Sequence, residues 1–261
     1  MPDLDSVQTG AAQSRTALVT GAASGIGRAT VLALLADGLV VAALDRDESG
    51  LAELEKRALA GASLSTHLAD LRDRPAVPEA VDDVVTRHGR LDILVNNAGI
   101  GVPASVSETT DDDWDTILEV NLTAMFRLTR AALPHLLANG AGVVVNLSSV
   151  AGVVGVPRRA AYCASKAGVL GLTRALAVDH AHEGLRANAV CPGTVATEWI
   201  DKILADAPDP ATARSQMELR QLDGRMGAPE EVAATVAFLT RAEARFANGA
   251  AWVLDGGMTA Q

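Results

Sequence analysis

The chain holds one tyrosine, and it sits in the run Tyr162-Cys163-Ala164-Ser165-Lys166. On a helix, residues four apart share a face, so this spacing sets a phenol and an ammonium side by side. A neighbouring cation stabilises phenolate. It is expected to lower the tyrosine pKa from about 10 and make a general base usable near neutral pH. Taken alone, the pair also fits an ordinary surface pair, but any tyrosine-based proton transfer here must use Tyr162. Ser148-Ser149 closes an apolar run. Serines after strands commonly serve as turn or cap residues, and this pair falls where a parallel sheet presents ligands. Asn121 lies between Val120 and Leu122 in a long helical stretch. Asparagine is a poor helix former, and a buried amide needs partners.

A second set of residues points to a nucleotide. Thr20-Gly21-Ala22-Ala23-Ser24-Gly25-Ile26-Gly27 follows an apolar run and opens a helical stretch. Glycines let the backbone turn and approach a pyrophosphate, which rests on the free N–H groups and positive end of the helix. Three glycines also fit any tight strand–helix turn; the strand before and the helix after favour the nucleotide. Asp45 lies 18 residues beyond Gly27, at the end of the second apolar run. A carboxylate there accepts hydrogen bonds from both adenosine ribose hydroxyls and repels a 2′-phosphate, so NAD is expected. Arg46 beside it keeps NADP as the alternative.

The order Thr-Gly-X-X-X-Gly-Ile-Gly, Asn96-Asn97-Ala98-Gly99, Asn121, Ser149, Tyr-X-X-X-Lys and Pro192-Gly193 closely resembles the short-chain dehydrogenase/reductase family, from about Arg15 to Gly257. The 13-residue step from Ser149 to Tyr162 fits its pattern. The gap between Gly21 and Gly25 matches the oxidoreductase branch rather than the longer epimerase and dehydratase branch. The resemblance implies a role for each residue. Tyr162 would take the alcohol proton as hydride leaves for the nicotinamide. Lys166 would lower its pKa and hold the nicotinamide ribose. Ser149 would hydrogen-bond the substrate oxygen, and Asn121 would anchor a water on a proton path. Gly21, Ser24, Gly25, Ile26 and Gly27 would cradle the cofactor, with Asp70 and Leu71 at the adenine. Asn97, Ala98 and Gly99 would line the cleft. Pro192, Gly193, Val195 and Thr197 would meet the carboxamide end. The substrate is a secondary alcohol or ketone, and the lid region resembles enzymes of sugars, sugar acids or 3-hydroxybutyrate. On that likeness, Arg159 and Arg220 would grip a carboxylate or several hydroxyls. A homotetramer is implied, with the last helix and strand at an interface. The alternatives are an NADP-dependent carbonyl reductase and a non-catalytic NAD-binding regulatory protein.

These residues need a scaffold, and the apolar pattern supplies one. Apolar runs at 16–20, 39–44, 63–69, 91–95, 142–147, 185–190 and 250–254 alternate with helical stretches. Strands apolar along their whole length, separated by helices, predict a parallel sheet covered on both faces. Right-handed crossovers make it a doubly wound Rossmann sheet of about seven strands, in one α/β domain over 14–261. Residues 1–13 read as a frayed tail. The stretch from about 194 to 228, with Pro208 and Pro210, reads as an irregular substrate lid. One helix is expected from about Asp112 to Leu137, capped by Asp111 or Asp112.

Composition excludes other classes. Apolar residues make up 49% and charged residues 21%, which is globular usage. The net charge of −10 disfavours nucleic acid and anionic membranes as partners. No apolar run reaches the length of a bilayer span, and the start is too acidic for a secretory signal, so a cytoplasmic protein is expected. Two cysteines and five scattered histidines give no metal-ligand spacing.

Overall fold

The computed structural model describes residues 14–260, so the tail expected over residues 1–13 lies outside the described residues. Seven strands, β1 (Thr16–Thr20), β2 (Val40–Asp45), β3 (Leu64–Leu68), β4 (Ile93–Asn96), β5 (Val143–Leu147), β6 (Arg186–Pro192) and β7 (Ala251–Leu254), form one sheet. Its order is β3-β2-β1-β4-β5-β6-β7, and every neighbouring pair is parallel. The chain winds outward from β1 in one direction and then from β4 in the other. This is the doubly wound sheet, and it opens a crevice at the carboxyl ends of β1 and β4.

Helices cover both faces because the central strands are apolar on both. In β1, all five residues are buried. Ala17 and Val19 point into one core, with Val31 and Leu34 of α1 (Gly25–Ala36) and Val232 and Val236 of α9 (Pro229–Thr240). Leu18 points into the other, with Val81 of α3 (Ala76–His88), Leu128 of α5 (Ala124–Leu137) and Leu176 of α6 (Ala160–His180). Burying each such leucine stabilises the fold by about 1.5–3 kcal/mol. Between β2 and β3 lies α2 (Glu48–Arg57), with Leu51 and Leu54 in the first core.

Two expectations are corrected here. The single helix over 112–137 is instead α4 (Asp111–Leu118), a π-helical turn (Glu119–Thr123) and α5. Its cap is Thr110, whose hydroxyl accepts from the Asp113 N–H at 3.1 Å. The π turn, a feature often found at functional sites, is the segment that buries Asn121. The stretch after β6 is not irregular either. It folds into α7 (Glu198–Ala205) and α8 (Pro210–Glu218). Asp209 caps α8 by accepting from Thr212 N–H, and Pro210 opens it, so Asp209-Pro210 is a helix start. Ile200, Leu204, Met217 and Met226 hold the two helices together in a small core of their own.

Candidate active site

The glycine turn runs from the carboxyl end of β1 into α1. A Cβ on Gly27 would fall 1.9 Å from the Gly21 carbonyl oxygen, so only glycine permits this close return of the chain. The Asn97 amide nitrogen donates to the Thr20 and Gly21 carbonyls at 2.9 and 3.1 Å. The Thr20 hydroxyl accepts from the Asn97 and Ala98 N–H groups. Asn97 and Ala98 therefore clamp the end of β4 to the turn. Ser24 precedes α1 without capping it by its side chain, so the first N–H groups of the helix take acceptors from outside it. A dinucleotide pyrophosphate fits such a start.

Asp45 ends β2 beside this turn. One carboxylate oxygen accepts from the Ala23 N–H at 3.0 Å, the other from the N–H groups of Arg46 and Asp47. These bonds fix the carboxylate where it faces the turn. The Ala69 N–H donates to the Asp45 carbonyl, which brings Asp70 and Leu71 alongside. The Asp70 carboxylate is gripped by the Arg72 guanidinium and lies 3.8 Å from that of Arg46. Together they hold its carboxyl below the usual value, the Arg72 hydrogen bond most of all.

From α1 the cleft continues to the tyrosine. One cavity, with an empty volume of about 1020 Å³ that is partly open to solvent, is lined at one end by Ile26 and Asn97 and at the other by Ser149, Tyr162 and Lys166. Pro192, at the end of β6, and Gly193, Val195 and Thr197 after it also line the cavity. Gly193 donates to Leu254 at 2.9 Å. Val195 pairs with Gly227 in an isolated bridge, and Thr197 caps α7.

Tyr162 and Lys166 share a face of α6, as their spacing requires. Ser149 stands at the end of β5, its hydroxyl accepting from the Ala151 N–H at 3.1 Å. Asn121 is fully buried. Its carbonyl accepts from the Ile100 N–H at 2.8 Å, while its amide donates to the Ile100 carbonyl and the Ser165 hydroxyl. Gly99 lies between two of these groups. A Cβ there would come within 3.3 Å of both the Asn121 carbonyl oxygen and Lys166 Nζ. The structure thus brings Ser149, Tyr162 and Lys166 to the lining of one cavity, with Asn121 buried behind Gly99.

The electrostatics differ from the expectation. Lys166 does not depress the Tyr162 pKa here. Burial raises it, against the opposing pull of the Ser149 hydrogen bond and of Arg159. Lys166 Nζ lies 5.8 Å from the phenol ring centroid and donates to the Leu147 carbonyl at 2.7 Å. Burial pushes its own pKa down to about 8. Desolvation is therefore the dominant influence at both groups, opposed by Ser149 and Arg159 at the phenol and by Cys191 at the ammonium.

Arg159 and Arg220 border the same cavity. Arg159 is half-buried, and Arg220 is exposed at the mouth. Burial lowers the Arg159 pKa, and Arg220 lowers it further. The sequence reading missed the apolar wall opposite. Trp199 stacks obliquely on Tyr162 with ring centroids 6.0 Å apart, and Val156, Met217 and Met258 complete the wall. The signal for Trp199 was its place just after Thr197, on a helix not foreseen there. Also missed was Asn146, whose side chain accepts from the Asn96 amide and donates to Thr173, tying β4, β5 and α6 behind the site.

Residues 21–259 match the family described as enoyl-(acyl carrier protein) reductase. The chain is 38% identical over 248 residues to the 3-oxoacyl-[acyl-carrier-protein] reductase of Thermotoga maritima, covering 94% of this chain and 98% of the relative. It is 41% identical to the cis-4-hydroxycyclohexanecarboxylate dehydrogenase of Sinomonas cyclohexanicum, covering 94% and 97%. The crystal structure of levodione reductase superposes with a TM-score of 0.91 at 33% identity, covering 94% and 98%. Likeness of this extent, on a doubly wound sheet with the glycine turn and the Tyr162–Lys166 pair in one cavity, places the chain in the short-chain dehydrogenase/reductase family, oxidoreductases that act on CH–OH groups with NAD(H) or NADP(H).

Proposed function

We propose that the protein interconverts a secondary alcohol and its ketone with NAD(H), using Tyr162 as the acid and base. The observation that carries this reading is the single cavity joining the start of α1 to Ser149, Tyr162 and Lys166. When bound, the nicotinamide accepts or supplies the hydride. Ser149 holds the substrate oxygen, and Tyr162 takes the hydroxyl proton in oxidation or returns it in reduction. Lys166 binds the nicotinamide ribose and, with Asn121, passes the proton outward. The carboxamide end rests against Pro192, Gly193, Val195 and Thr197. The helices α7 and α8, within residues 194–228, act as the lid.

Asp45 selects NAD over NADP. Its carboxylate is fixed beside the glycine turn, where a 2′-phosphate would meet a like charge. Arg46, the residue that could offset that repulsion, faces Asp70 instead. On the substrate side, Arg159 and Arg220 receive a carboxylate or several hydroxyls. The half-buried position of Arg159 at the cavity supports this, as does a 41% identical relative named for a hydroxycyclohexanecarboxylate. The assembly is a cytoplasmic homotetramer. Exposed Phe238 on α9 and Val253 on β7 fit a contact there.

The test is kcat/KM for NAD⁺ and NADP⁺ with a panel of hydroxy acids, diols and cyclic alcohols. NAD⁺ is expected to be favoured by at least about tenfold, and Asp45→Ser is expected to erase most of that preference. Equal values in the unmutated protein would contradict the role given to Asp45.

A further inference from the structure

Glu198 reaches across from the first turn of α7 to the start of α1. One carboxylate oxygen accepts from the Gly25 N–H at 3.0 Å, and the other pairs with the Arg28 guanidinium. The two elements are remote in sequence, and nothing in a Rossmann turn requires this contact. Ser24, the residue placed to cap α1, leaves the task undone. Glu198 instead satisfies one of the free N–H groups at that end and opposes the helix dipole. Burial would raise its pKa, but its own N–H, Arg28 and the Gly25 N–H together hold it below the usual value, so it is ionised at neutral pH. Ile26 and Thr197, the next residues on either side of the contact, both line the cofactor cavity, and Gly25, Arg28 and Glu198 line a neighbouring depression that shares Thr197 with it. The carboxylate therefore stands where a second anion would be repelled.

We propose that Glu198 is a placeholder for the cofactor pyrophosphate: it holds the start of α1 in the free protein and competes with the incoming phosphates, so that it sets cofactor affinity. This rests on the reading of that helix start as the dinucleotide site. Arg28 makes the exchange feasible, because it lies at the same point and partners either anion. The exchange also reaches the substrate side. Glu198 is followed directly by Trp199 and Ile200, both in the cavity wall, so release of the carboxylate frees the first turn of α7 to settle against the substrate.

The experiment is equilibrium binding, by calorimetry, of NAD⁺, ADP and adenosine to the unmutated protein and to Glu198→Gln and Glu198→Ala. Loss of a carboxylate at the helix start that would receive the phosphates is expected to tighten NAD⁺ and ADP about five- to tenfold in both variants. Adenosine, which carries no phosphate, is expected to change by less than about twofold. Glu198→Ala cannot form a new amide hydrogen bond, so tightening in both variants isolates the removed charge. Unchanged or weaker NAD⁺ and ADP binding, tightening in the glutamine variant alone, or equal gains for adenosine would overturn the proposal. If the unmutated protein binds neither NAD⁺ nor ADP, the cofactor reading fails with it.

Discussion

Burial decides the chemistry of Tyr162 more than its neighbours do. The phenol pKa is raised by desolvation, and Lys166 is held at about 8 for the same reason. At neutral pH the phenol thus carries its proton and is ready to act as the acid in ketone reduction. Oxidation needs the deprotonated form, whose fraction grows as pH rises. The rate of alcohol oxidation is therefore expected to climb from pH 7 toward pH 10, while ketone reduction stays level over that range. Initial rates in both directions across that range check this; an oxidation rate independent of pH would contradict it. Arg159 supplies a second prediction. Arg159→Ala should raise KM for an acid substrate by about ten- to a hundredfold, because a charge-assisted hydrogen bond contributes about 1.5–3 kcal/mol, and should leave small neutral alcohols nearly unchanged. Equal effects on both substrate types would remove the carboxylate role. At this scale the sequence was informative where residue type and spacing define the chemistry, as for Tyr162 and Lys166. It misled on the direction of the tyrosine shift, because the depth of burial depends on what α7 and the 99–101 loop lay over the ring.

Elements place these side chains, and the segment before α6 shows how. Arg158 is the one non-glycine with positive φ among the described residues, at 55°. Its guanidinium binds both Glu108 oxygens, at 2.6 and 2.8 Å, and the Pro103 carbonyl. Hydrogen bonds from Ser105, then Arg158, bring the Glu108 pKa to about 2. The Ala160 N–H donates to the Ala104 carbonyl. The loop after β4 is thereby fastened to the first turn of the helix that carries Tyr162. A left-handed residue with a side chain costs about 1–2 kcal/mol relative to glycine. Arg158→Ala loses the guanidinium and keeps the backbone cost, whereas Arg158→Gly loses both. Thermal melts should therefore rank the glycine variant above the alanine variant; the reverse order would mean that the backbone is unstrained there. None of this was legible beforehand, since a positive φ at arginine has no sequence signature. The π turn escaped for a related reason. Helical periodicity runs through Glu119–Thr123 almost unbroken, and the extra residue shows only in the Ala124 N–H, which donates five residues back to the Glu119 carbonyl. The two helices after β6 were hidden by their charges and prolines, although Asp209-Pro210 carries a recognisable start.

Across the whole molecule, the strands were readable because seven apolar runs separated by helices admit few other arrangements. Their order put the ends of β1, β2, β4, β5 and β6 along one edge, and the site residues sit at those ends or on the helices that follow. What the pattern could not contain is the shape of the cavity between them, which depends on long-range packing of α7 and α8. The central claim is that this cavity has two separable halves, one binding the cofactor and one transferring the proton. Tyr162→Phe tests it most directly, since the ring keeps its packing against Trp199 and loses only the hydroxyl. General acid–base catalysis is typically worth about 10²–10⁴ in rate. Turnover is expected to fall by at least about a hundredfold, with the NAD⁺ dissociation constant within a few fold of the unmutated protein. Near-normal turnover in the phenylalanine variant would contradict it.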